Sequence, residues 1–232
     1  METETILYET KEFLVVKKPV GLASQGDGST DDLCSRLAAR CGRVCYAVHR
    51  LDQMTGGVMV YAKTKATAAA LGQAFAAHAV QKEYLCVTEG CPKPAQGQLC
   101  DVLFFDRAAG RSFPVRQKAD GTYRRGAKPA KLFYEVLQQA DTSGGTRALL
   151  RVRLETGRTH QVRCQMAAQS TPLCGDGKYG GRDHGCRVAL WAASLRFTDP
   201  KTGKELRFCV PPPQNYPWDL FDCIEQERQN AP

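Results

Sequence analysis

A chain of 232 residues suits one large domain or two small ones, and its 43% apolar content supports a packed core and argues against intrinsic disorder. The formal charge of +8 favours an anionic partner, with nucleic acid first and an anionic membrane surface second. The eleven cysteines are odd in number, form no Cys-x-x-Cys pair and follow an acidic Met1-Glu2-Thr3-Glu4-Thr5 start with no apolar signal core, so the expectation is a reduced cytoplasmic protein with no disulfide framework, no zinc site and no membrane span.

In chain order, Ile6 to Val16 reads as two short strands around the polar Glu9-Thr10-Lys11-Glu12, and Lys17-Lys18-Pro19-Val20-Gly21-Leu22 breaks the pattern. Gly26 to Thr30 is a loop, in which Ser29 or Thr30 can cap a helix from about Asp31 to Gly42. Val58 to Ala62 is an apolar run of buried-strand type, entered through the turn residues Thr55-Gly56-Gly57. Thr64 opens an Ala-rich helix through about His78, with Ala70, Leu71, Ala74, Phe75 and His78 on one face.

Strands are expected over Val80–Thr88 and 99–106, with a loop over Pro92–Gln98 between them. Arg107–Lys128 is polar and lacks periodicity, so it reads as an irregular excursion. Lys131–Gln138 and Ala148–Leu154 pair across a turn at Asp141-Thr142-Ser143-Gly144-Gly145. Thr159 is a candidate N-cap for a helix through about Ala168. Thr171 to Gly181 is a Gly-rich loop without the Gly-Lys-Ser/Thr ending of a phosphate-binding loop. Val188–Phe197 and Glu205–Val210 make a last strand pair, and the tail beyond Trp218 is peripheral.

Charge is uneven along the chain. From Arg107 to Arg163 there are thirteen Arg/Lys and four Asp/Glu, a net of +9, which leaves the remainder near neutral. Cations gathered this way can build a phosphate-contacting face. A solvated basic surface is the plain alternative. Few aromatics interleave in the segment (Phe113, Tyr123, Phe133, Tyr134), so stacking along a single strand is not strongly suggested by the sequence.

Two dense stretches draw the chemistry. His49-Arg50-Leu51-Asp52 sets an acid and a cation in a turn beside a buried strand, although an Asp that only caps the turn accounts for the same pattern. Glu155-Thr156-Gly157-Arg158-Thr159-His160-Gln161-Val162-Arg163 sets Arg163 near a helix start, where a structural Arg–acid pair is the alternative to an anion site.

His49-Arg50-Leu51-Asp52-x-x-Thr55-Gly56-Gly57 resembles the His-Arg-Leu-Asp-x-x-Thr-Ser-Gly signature of the RluA family of pseudouridine synthases. The likeness extends in order through Lys17-Lys18-Pro19-Val20-Gly21, Lys82-Glu83-Tyr84, Lys128-Pro129-Ala130, Thr156 to Arg163, Gly175-Asp176-x-x-Tyr179-Gly180 and Leu190-Trp191-Ala192. It covers residues 6–210 of what reads as a single catalytic domain over 1–232, without the N-terminal S4 module of many relatives. It departs at Lys17 for Asn, Gly56 for Ser, Leu132 for Thr, Cys164-Gln165 for Val-His and Trp191 for His.

The resemblance implies an α+β fold: a mixed, mainly antiparallel central sheet flanked by helices, with an RNA-binding cleft. It implies isomerisation of uridine to pseudouridine in ribosomal or transfer RNA without cofactor or metal, by a monomer, with no DNA or membrane partner. Asp52 is then the essential carboxylate, whether it attacks C1′, adds to C6 or takes a ribose proton. Tyr84 stacks on the base and is a candidate base for the C5 proton; Arg163 is the candidate salt-bridge partner of the carboxylate. Leu190 walls the uracil pocket, and His49, Arg50, Lys82, Lys128 and Arg158 contact RNA. Other classes remain open at this point: a non-catalytic RNA-binding protein or RNA chaperone on the same fold, which the basic segment supports equally, and a glycoside hydrolase, for which Asp52 has no evident partner acid.

Overall fold

The computed structural model describes residues 4–26 and 31–224, and contacts between them gather into two compact units. Of these, the first unit comprises residues 4–26, 31–83 and 191–212; the second comprises 84–190 and 213–224.

The first unit is built on β4, Gly56–Ala62, in which all seven residues are buried. A strand covered on both faces has no use for alternation, so it reads as one apolar run. β2, Phe13–Lys18, pairs with it antiparallel, and β1, Thr5–Glu9, extends that side. β10, Leu190–Thr198, runs parallel to β4 at Trp191↔Gly56 and Ala192↔Gly57, and pairs antiparallel with β11, Glu205–Cys209. The short β3, Tyr46–Ala47, pairs with the end of β4. Gly57 has φ 118°, and a Cβ there would lie 2.2 Å from the Ala192 carbonyl oxygen, so only glycine lets the two backbones approach.

Two helices serve this unit. α1, Leu33–Cys41, is capped by Asp32, whose carboxylate accepts from Ser35 N at 3.0 Å, and ends at Gly42 with φ 62°. Ser29 and Thr30, the expected caps, lie outside the described residues. α2, Lys65–Ala76, starts at Thr64 as expected and stops before His78, which is exposed with φ 57°.

The second unit holds β5, Gln81–Glu89, which enters from the first, with β6, Gln96–Asp106, β7, Arg111–Pro114, β8, Lys128–Thr142, and β9, Gly145–Leu154. Their order is β5-β9-β8-β6-β7. β6 begins inside the expected loop. The expected irregular excursion contains β7, which pairs with β6 from Leu103↔Pro114 to Asp106↔Arg111; four residues are too few for periodicity to reveal. α3, Gln161–Ala168, packs on one face of this sheet, and Leu103, Ala130, Cys164 and Tyr179 form a cluster beneath it. Its first flanking residue is His160 in the left-handed region, φ 55°, with no side-chain cap, in place of the expected Thr159. A 3-10 turn, Trp218–Leu220, starts the last described stretch of the chain, which runs on to residue 224. The fold is α+β, with mixed and mainly antiparallel strands flanked by helices. Among the described residues no helix is long and apolar enough to cross a membrane.

Candidate active site

Asp52 is half-buried on the loop between β3 and β4. The loop is fastened on both sides of it. Ser24 Oγ donates to the Leu51 carbonyl at 2.8 Å and accepts from Leu51 N at 3.1 Å. Gly21 N donates to the Gln53 carbonyl at 2.8 Å, and Gln53 Nε2 returns a bond to the Gly21 carbonyl at 3.0 Å. Thr55 N closes the turn on the Asp52 carbonyl at 2.9 Å. Tyr61 OH ties the Ser24 carbonyl to the β4 core at 2.7 Å. The rigid strand thus dictates where the loop, and with it the carboxylate, can sit.

Beneath the loop lies Lys18, with no solvent exposure. Its ammonium donates to the carbonyls of Pro19 at 2.9 Å, Leu22 at 2.6 Å and Gln53 at 3.2 Å. Three donors meet three acceptors, which is how a buried ammonium is satisfied. Burial lowers its pKa to about 8, opposed by the nearby Asp52 carboxylate. Lys18 was read from the sequence only as part of a turn motif. Nothing in a Lys-Lys-Pro run says which lysine points inward.

His49, expected at the RNA, is half-buried. It stacks on Phe75 with centroids 4.5 Å apart, and its Nε2 accepts from Val60 N at 3.1 Å. Burial and the charge of Lys82 push its pKa down to about 3, so the ring is neutral at physiological pH. Arg50 beside it is exposed.

Tyr84, Arg163, Leu190, Lys128 and Arg158 belong to the second unit. Tyr84 and Leu190 are buried. Arg163 is 5% exposed and meets fully buried Asp176 through two parallel bonds, Nε–Oδ2 at 2.7 Å and Nη2–Oδ1 at 2.8 Å. Its guanidinium also lies 5.1 Å over the Tyr179 ring. The Tyr179 hydroxyl accepts from Ser112 N at 2.6 Å and is hydrogen-bonded to His160 Nδ1 at 3.1 Å. Burial raises the Tyr179 pKa to about 12. Asp176 and Tyr179 sit in a Gly-rich stretch whose partners lie on α3 and β7, so sequence spacing gave no sign of these roles.

Ahead of α3, Gln161 knits the motif together. Its Oε1 accepts from Thr156 Oγ1 at 2.8 Å and Arg158 N at 3.0 Å, and its Nε2 donates to the Lys131 carbonyl at 3.1 Å. Arg158 Nε donates to the Pro129 carbonyl at 2.8 Å, next to exposed Lys128, so these two cations share one edge. Of the departures from the family signature, Gln165 Nε2 donates to Asp101 at 2.7 Å, and Cys164 Sγ contacts the Ser112 carbonyl at 3.4 Å.

The sequence matches the RNA pseudouridylate synthase family over residues 12–168. It is 34% identical over 212 residues to the dual-specificity RNA pseudouridine synthase RluA of Escherichia coli, across 89% of this chain and 92% of that one. It is 33% identical over 205 residues to the uncharacterized RNA pseudouridine synthase YhcT of Bacillus subtilis, across 85% of this chain, and 34% identical to the chloroplastic RNA pseudouridine synthase 2 of Arabidopsis thaliana across 72%. The chain spans 65% and 44% of the length of those last two. Human RNA Pseudouridylate Synthase Domain Containing 1 superposes with a TM-score of 0.77 at 26% identity, covering 99% of this chain and 94% of that one. Human RNA Pseudouridylate Synthase Domain Containing 4 shares the fold, with a TM-score of 0.72 at 23% identity, covering 98% and 93%. The chain belongs to the RluA family of pseudouridine synthases.

Proposed function

We propose that the protein isomerises one or more uridines of ribosomal or transfer RNA to pseudouridine, breaking the N1–C1′ bond and forming C5–C1′, with Asp52 as the essential carboxylate. The observation that carries this reading is the anchoring of the Asp52 loop. Side chains hold the backbone of Leu51 and Gln53, the two residues flanking Asp52, and an ammonium is buried beneath. A turn that only needed a cap has no use for a buried lysine.

Tyr84 is assigned to stacking on the uracil and to removing the C5 proton, Arg163 to the charge balance of the carboxylate, and Leu190 to the pocket wall. These assignments rest on the motif match. Arg50, Lys82, Lys128 and Arg158 are assigned to RNA, chiefly to its phosphates. The stacked base is out of reach in a helix, so the target uridine is flipped out before reaction. The chemistry needs no cofactor, and the chain acts as a monomer in the cytoplasm.

RNA carrying tritium at uracil C5 tests this, because forming C5–C1′ expels that proton to water. Wild type should release tritium and Asp52→Asn should release none. Equal release by both removes Asp52 from its role. Tight RNA binding without release would make the protein a binder on this fold.

A further inference from the structure

The sheet formed by β6 to β9 has one exposed face. Antiparallel register decides which side chains of β6 to β9 share a face. Leu103, Ala130, Leu132 and Val152 point to the core and are buried. The alternate residues are turned to solvent. Among them Phe133 is 49% exposed and stands opposite Gln98 of β6 and Arg153 of β9, with Lys131 two residues along β8. On the same face Phe104 of β6 pairs with Phe113 of β7, which is 36% exposed, and the Arg124 guanidinium lies 3.7 Å over the Phe104 ring.

Of the aromatics in the basic segment, strand pairing brings Phe113 and Phe133 to the same exposed face as Phe104 of β6, while Tyr134 is buried on the other face. Gln98 and Phe104 are six residues apart on β6, so the two aromatic sites are separated by roughly 20 Å at about 3.4 Å per residue, a span of several nucleotides in an extended strand. The cations come from the segment with thirteen Arg/Lys and four Asp/Glu. Lys131 pairs with Glu155 at 2.9 Å and Arg151 with Glu135 at 3.6 Å, and both pairs are partly exposed, so phosphates can displace them at little cost. Exposed rings between cations on a sheet suit bases that are unstacked and splayed, which stack on aromatic rings and on arginine planes.

We propose that this face binds a single-stranded stretch of the substrate RNA, with Phe133 and the Phe104–Arg124 stack as two base platforms and Lys131 and Arg153 along the phosphates. The proposal rests on the RNA reading above and adds to it a surface that touches RNA but not the reacting base.

The test is anisotropy of a short fluorescein-labelled single-stranded RNA with the full chain. Phe133→Ala should weaken binding about tenfold, the scale of one lost base stack, while Phe133→Trp restores it. Val44→Ala, which trims another exposed apolar side chain at 61% exposure, should bind like wild type. Arg153→Gln should reduce the slope of log K against log salt by about one. Circular dichroism confirms that the exposed substitutions fold. On a duplex of the same sequence, where the bases are stacked away, Phe133→Ala should have no effect. Wild-type affinity of both Phe133→Ala and Phe104→Ala for the single strand overturns the proposal, as does an equal loss on the duplex. Tritium release is a separate readout: its failure in wild type would sink the isomerase reading and leave this binding result standing.

Discussion

A β-carbon built at Gly56 would lie 2.3 Å from Cζ3 of Trp191, and 2.9 Å from both Trp191 Cε3 and Val20 Cγ2. The two residues face each other in the parallel β4–β10 pair. The indole is 2% exposed and fixed by its Nε1 bond to the Val210 carbonyl at 2.8 Å. Gly56 for Ser and Trp191 for His are two departures from the family signature in the sequence but one packing event in space. The ring occupies the volume that a side chain at position 56 would need.

Gly56→Ser should therefore destabilise by about 2 kcal/mol through overpacking. Trp191→Ala should cost about 3–5 kcal/mol through a cavity. The double variant should lose less than the sum by at least about 1 kcal/mol, since the serine enters the vacated space. Urea midpoints measure all three, and strict additivity would refute the pairing.

Lys18→Met removes the donor from three carbonyls while keeping the volume. The Asp52 loop loses its floor, and a displacement of about 1 Å at the carboxylate costs on the order of a hundredfold in kcat. Stability has its own signature. The folded pKa of about 8 lies below the usual 10.5, so between those values the unfolded chain holds the proton more often. Stability from this group should be lowest below about pH 8 and rise towards pH 10.5. Comparing wild type with Lys18→Met over that range isolates the slope; parallel curves would place the lysine elsewhere.

His49 should not titrate between pH 5 and 8. Its folded pKa of about 3 lies below the usual 6.5, so its contribution to stability is full above 6.5 and declines as pH falls towards 3. A constant imidazole proton shift in NMR across pH 5–8 checks the first statement. His49→Ala should cost about 1–3 kcal/mol, because Val60 N loses its acceptor.

Asp176→Asn takes the negative charge from a buried guanidinium, which costs about 3–5 kcal/mol in comparable pairs. Chemical denaturation would measure it. A change under 1 kcal/mol would mean that Arg163 does not depend on this carboxylate.

Much of the fold was readable before the structure. β4 announced itself because a strand buried on both faces is an unbroken apolar run, and α2 because Thr64 and an alanine-rich stretch favour a helix locally. β7 did not, since four residues acquire strand geometry only through β6. The α3 start was misread because Thr159 has cap chemistry, while His160 takes a left-handed turn held by its contact with Tyr179.

The sequence by itself determined the family, the position of Asp52 in a turn before a buried strand and the basic character of the segment from Arg107 to Arg163, because short motifs, apolar runs and charge are local properties of the chain. Only the tertiary structure decided that Lys18 is the buried cation beneath Asp52, that Asp176 receives Arg163, that Trp191 requires glycine at 56, and that Phe104, Phe113 and Phe133 share one open face. Each of these depends on which distant residues the strand register brings within a few ångströms, and burial and pairing energies act on that proximity rather than on sequence neighbours.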